Sequence, residues 1–197
     1  MKHLASVSVI GLTLITTGCS TESSNRPSSP RTQTISAYAM IELETACFIN
    51  KDFPDNDAYN GGSPGIHPAL LTISKMPNHS ELSRDFELYN KKWLLDYSAD
   101  PKKVQIIFCV NRTDGKMAKG QKCKIPSSGK TLPAYDATYR IRAIEARTGK
   151  QIKEWSKQAD FAQCPSRLTE ADKASKKYYA DIPKDQLHAL LEELITP

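Results

Sequence analysis

The stretch AYDATYRIRAIEARTGKQIKEW, residues 134–155, decides the fold. Tyr135, Ala137, Tyr139, Ile141 and Ala143 alternate with Asp136, Thr138, Arg140 and Arg142. A period of two is the mark of a strand with one buried face. Arg147-Thr148-Gly149 then reads as a three-residue hairpin loop, with Gly149 at the left-handed position such a loop requires. That register sets Ile144 against Ile152, Arg142 against Glu154 and Ile141 against Trp155. Apolar faces apolar and opposite charges meet, as cross-strand pairs favour. A hairpin is therefore expected at the centre of an antiparallel sheet.

Working outward, Val104–Val110 (VQIIFCV) and Pro68–Ser74 (PALLTIS) read as short buried strands. Ile35–Ile49 also alternates and reads as a strand, with Cys47 facing inward. Between them, Lys51–His67 is a loop rich in Asp, Asn, Pro and Gly. Its Asp55, Asp57 and Asn60 invite calcium, but the loop fails the EF-hand spacing. Glycine falls one residue late, and Ile66 stands where a bidentate Glu belongs, so a solvated turn is the better reading. Ser80 can cap a helix over Glu81–Tyr97, with Leu82, Phe86, Tyr89 and Trp93 at helical spacing. The chain closes on Pro183–Ile195, where Leu187, Leu190, Leu191, Leu194 and Ile195 form an amphipathic stripe behind a proline. The expected class is α+β, mainly antiparallel sheet with one or two packed helices, one of them C-terminal.

The 197 residues carry a net charge of +5, with 39% apolar and 8% aromatic residues. Residues 1–18 hold a single charged side chain, Lys2, so the remainder stands near +4. This mild excess suits anionic surfaces and falls short of a nucleic-acid footprint. Lys116, Lys119, Lys122, Lys124 and Lys130 lie in a segment with no acid between Asp114 and Asp136. They are candidate ligands for phosphate or an anionic glycan. The plainer reading is that lysines on an edge hairpin discourage sheet-to-sheet association.

Lys2 and His3 precede an uncharged run, Leu4–Thr17, too short for a spanning helix and shaped like a secretory signal. It ends in Ile15-Thr16-Thr17-Gly18-Cys19, which resembles the lipobox of bacterial lipoproteins, although Leu is more usual three residues before the cysteine. The resemblance implies cleavage before Cys19 and acylation of its thiol, as with palmitate, where each buried methylene contributes about 0.8 kcal/mol. It also implies a membrane-anchored place in the cell envelope. In a two-membrane cell Ser20 fits outer-membrane sorting. We divide the chain into a signal peptide, 1–18, a lipidated Cys19 with tether, 19–34, and a single β-rich domain, 35–197. The tether, STESSNRPSSPRTQT from Ser20, has too little apolar surface to offset its ordering entropy.

With Cys19 assigned to lipid, Cys47, Cys109, Cys123 and Cys164 remain, an even number in an exported chain, which reads as two disulfides with three connectivities open. We favour Cys109–Cys123 and Cys47–Cys164. Cys-x-x-Cys spacing for zinc is absent, as are the sequence motifs of serine hydrolases, zincins and phosphate loops, so no metal, cofactor or catalytic residue is assigned. GIHPALL, FCV, EARTGK and the Cys164-Pro165 pair also resemble, in order, motifs of poorly characterised exported β-rich bacterial proteins, a resemblance that brings no activity. The expected function is a non-enzymatic binding or structural module, with an envelope protein or anionic polymer as partner besides the membrane. The alternative is a small envelope hydrolase with dispersed residues, such as His67 with acids of the 52–57 loop.

Overall fold

A computed structural model describes residues 38–76, 79–82, 92–124, 129–165, 172 and 175–197. Its strands are β1 (Ala69–Met76), β2 (His79–Leu82), β3 (Ile106–Asp114), β4 (Met117–Lys124), β5 (Thr131–Tyr135), β6 (Ala137–Glu145), β7 (Gln151–Ala159) and β8 (Tyr178–Tyr179). Five form a sheet in the order β2-β1-β3-β6-β7, and three form a smaller one, β4-β5-β8. The neighbours β1 and β3 run parallel, as do β5 and β8, while the other pairs are antiparallel. With a C-terminal helix, Lys184–Ile195, the class is α+β, as expected.

The hairpin β6–β7 pairs Ile141 with Trp155 and Arg142 with Glu154, as the sequence predicts. Ile144 meets Gln151 instead of Ile152, because a bulge near the turn takes up one residue of β7. Gly149 has φ +66°, and a Cβ there would lie 2.9 Å from the Lys51 carbonyl oxygen. The run expected as one strand from Tyr135 breaks at Asp136. Up to Tyr135 the chain belongs to the small sheet, and from Ala137 to the large one. The Asp136 amide donates to the Lys116 carbonyl (2.8 Å), and its carboxylate accepts from the Phe161 amide (2.7 Å).

Both faces of the large sheet are covered, which explains why PALLTIS and VQIIFCV run apolar without alternation. On one face Leu71, Phe108, Tyr139 and Ile141 meet Leu187, Leu191, Leu194 and Ile195 of the C-terminal helix. On the other, Leu70, Ile107, Cys109 and Ile144 meet Met40, Leu43, Ala46 and Cys47. Those four residues correct the strand expected over Ile35–Ile49. Residues 38–44 are helical and Thr45–Cys47 form a 3₁₀ turn. Cys47 does face inward, at 3% exposure.

The helix expected over Glu81–Tyr97 is corrected at both ends. Residues 79–82 are β2, and Leu94 bridges in parallel to Ala69. Residues 83–91, the middle of that span, lie outside the described residues. The disulfides are also re-paired. Cys47 joins Cys109 across the large sheet and its covering segment, and Cys123 joins Cys164 at the small sheet. The favoured pairing assumed that β3 and β4 form a hairpin around Lys116. Instead the chain changes sheets at Gly115, which carries Cys123 away from Cys109.

Candidate functional site

The lysines gather around β4, the edge strand of the small sheet. Cys123 is buried there against Leu132, Ala134 and Tyr178. Its neighbours Lys122 and Lys124 point the other way by strand alternation, and Lys116, Lys119, Lys122, Lys124 and Lys130 are all exposed. Among the described residues β4 pairs on one side alone, with β5. The small sheet thus turns a lysine-bearing edge toward solvent, a geometry that serves anion binding and edge protection equally.

Beside Lys116 lies a group the sequence reading missed. The Arg112 guanidinium sits 3.9 Å from the centre of the Tyr179 ring. Tyr179 and Tyr135, opposite each other on β8 and β5, have ring centres 5.1 Å apart. The Lys177 ammonium lies 5.1 Å from Tyr135. Cation, ring, ring and cation form one half-buried ledge at the joint between sheets, each cation–π contact contributing on the order of 0.5–1 kcal/mol. Gly115 makes the joint tight: a Cβ there would stand 1.9 Å from the Asp136 carbonyl oxygen and 3.0 Å from Tyr179. The sequence signal was present in Tyr178-Tyr179, but a two-residue strand has no period to read.

A second concave region lies on the large sheet beside the hairpin turn. It is an open cleft of about 650 Å³ lined by Asn50, Arg142, Ile144, Gly149, Lys150 and Gln151. Arg140 holds the Glu154 carboxylate through Nε and Nη2, each at 2.8 Å. Arg142 therefore turns to the Cys47 carbonyl, while its buried Nε has no hydrogen-bond partner among the described residues. Burial, then the neighbouring Arg140, lowers the Arg142 pKa from its ordinary value.

His67 is structural. It is 6% exposed, with Nδ1 2.7 Å from Gln105 Oε1 and Nε2 3.2 Å from the Ser63 carbonyl, and its ring meets Tyr59 edge-on. The acids of the 52–57 loop face elsewhere, Asp55 toward Lys102 and Asp57 toward Lys103. Asn56 anchors that loop by donating to the Pro101 and Val104 carbonyls, both at 2.8 Å. No cluster of three or more His, Cys, Asp or Glu side chains placed to hold a metal ion occurs among the described residues. His188 stacks on Trp93 with ring centres 4.8 Å apart. Cys19, the signal segment and the tether lie outside the described residues.

No family model matches the sequence, and no curated protein does. Among solved structures, the chain is similar to protein XCC0632 from Xanthomonas campestris, described under the family model DUF330. That similarity has 9% identity and a TM-score of 0.23, over 71% of this chain and 88% of the other.

Proposed function

We propose that this chain is an exported, lipid-anchored cell-envelope protein whose domain acts as a non-enzymatic binding or structural module. The observation that carries the reading is the Ile15–Cys19 motif, in which a small residue precedes a thiol at the end of a short apolar run. The other four cysteines agree with it, since all are paired as disulfides, the state expected of an exported chain. In a cell with two membranes, Ser20 directs the protein to the outer one. Metabolic labelling with an alkyne fatty acid tests the anchor. Label on the wild type and none on Cys19→Ser is expected, and equal label on both ends this reading.

A second reading, binding of an anionic envelope polymer, draws support from the exposed lysines of β4 and the adjoining ledge of Arg112, Tyr179, Tyr135 and Lys177. Rings offer flat apolar faces to sugars, and the cations answer carboxylates or phosphates. The hydrolase alternative finds no support in His67, whose two ring nitrogens already face Gln105 and Ser63.

A further inference from the structure

Residues 38–49 bury one apolar side and present further apolar side chains, beside the exposed Glu42, on the other. Met40, Leu43, Ala46 and Cys47, spaced three, three and one apart, bury the inner side against the large sheet. The outer side carries Tyr38, Ile41, Phe48 and Ile49, exposed by 71%, 49%, 43% and 58%. Among the described residues, four of the six exposed large hydrophobic residues fall in these twelve positions. A helical segment on the outside of a domain normally turns a polar face to water, and one whose outer side is mainly apolar, with Glu42 as its exposed charge, suits a second cover.

Position in the chain says what the cover is. Tyr38 lies 19 residues after Cys19. At about 3.3–3.6 Å per residue, that length holds Tyr38 within roughly 65 Å of an acylated Cys19. The apolar side is thus where the chain enters the domain from its anchor. Cations lie at its Phe48–Ile49 end, while Glu42 is an exposed acid on the same segment. Phe48 and Ile49 run into Asn50 and Lys51, and Asn50 shares the 650 Å³ cleft with Arg142 and Lys150. Lys51 also pairs with Glu42, and its backbone packs on Gly149 of the hairpin turn. Apolar side chains beside positive ones suit the boundary between headgroups and acyl chains.

We propose that this face rests on the anionic phospholipid surface of the bilayer that holds Cys19, with Phe48 and Ile49 inserted and Arg142 and Lys150 against headgroup phosphates. The inference depends on the lipid anchor, and adds to it an orientation: the domain lies on the membrane by one face, and the lysine edge of β4 is free of it.

The test uses the processed, acylated protein in vesicles containing an anionic phospholipid. Ile49→Trp and, separately, Lys124→Trp report their surroundings as changes from the parent's Trp93 and Trp155 signal. Both sites are exposed, so the fold is undisturbed. The emission of Ile49→Trp is expected to shift to the blue and lose intensity with bromines high on the acyl chains. Insertion of about 5–10 Å makes shallow bromines more effective than deep ones. Lys124→Trp is expected to keep an aqueous spectrum. Membrane-held protein with Ile49→Trp unshifted and unquenched overturns the docking and leaves the anchor intact. Ile49→Trp shielded from bromines and from aqueous iodide alike overturns it in favour of a protein cover. Quenching at Lys124→Trp instead reverses the orientation and overturns it too. Protein that washes off the vesicles without an acyl group removes the anchor and this inference with it.

Discussion

Tyr139 reaches from β6 to the chain beyond β8, where its hydroxyl donates to the Ala180 carbonyl at 2.8 Å while the side chain is 2% exposed. Tyr139→Phe leaves that carbonyl unsatisfied and should cost about 1–3 kcal/mol in denaturant titration. Burial, then Asp181, pushes the Tyr178 phenol from 10.0 up to about 12, and the same causes raise Tyr139. An unfolded chain releases these protons from about pH 10. Above that pH the folded state therefore holds more protons than the unfolded one. The stability that Tyr178 contributes is complete below about pH 10 and is lost through about pH 12, and that of Tyr139 follows at higher pH. Melting curves across that window should fall less steeply for Tyr178→Phe than for wild type; identical slopes would remove Tyr178 from the account. Gly115 is the other sensitive point. Gly115→Ala drives a Cβ against the backbone oxygen of Asp136 and should cost at least about 1–3 kcal/mol. Tyr139 was legible as an inward-facing strand residue, but the joint it and Gly115 hold was not, since a joint between sheets is set by tertiary packing and leaves no local pattern.

Among the elements, the hairpin and the C-terminal helix were legible because each carries one period and a fitting turn or start residue. Ile35–Ile49 was not, because apolar residues occupy nearly every register and satisfy a period of two and of 3.6 alike. Packing decided between them: a helix sets Met40, Leu43 and Cys47 together over Leu70, Ile107 and Cys109. The disulfides followed the same logic, as pairing depends on which strands change sheets. Cys47–Cys109 spans 62 residues and Cys123–Cys164 spans 41, so loop-closure entropy assigns each about 4 kcal/mol. Their burial differs: Cys47 and Cys109 are 3% and 0% exposed, whereas Cys164 is on the surface. Mild reductant should therefore open Cys123–Cys164 first, and mass mapping of alkylated peptides checks the order. Replacing Cys47 and Cys109 by Ala should lower Tm more than replacing the other pair, because it removes two buried side chains where the other removes one, Cys123.

For the whole molecule, the apolar entry face and the lysine edge make separate claims. If the edge binds anionic polymer, affinity should fall steeply with salt, since exposed charges are screened within about 8 Å at physiological ionic strength. Lys119, Lys122 and Lys124 together replaced by Gln should weaken that binding further; unchanged binding would leave the lysines as edge protection alone. Both claims sit on the reading of Cys19, and the mature N-terminus tests it most directly. Trypsin cuts poorly at Arg26-Pro27, so the first peptide of the processed chain is Cys19–Arg31. Mass spectrometry of protein from its own membranes should find that peptide carrying a diacylglycerol on the thiol. The same peptide unmodified, or an intact chain beginning at Met1, would contradict the account.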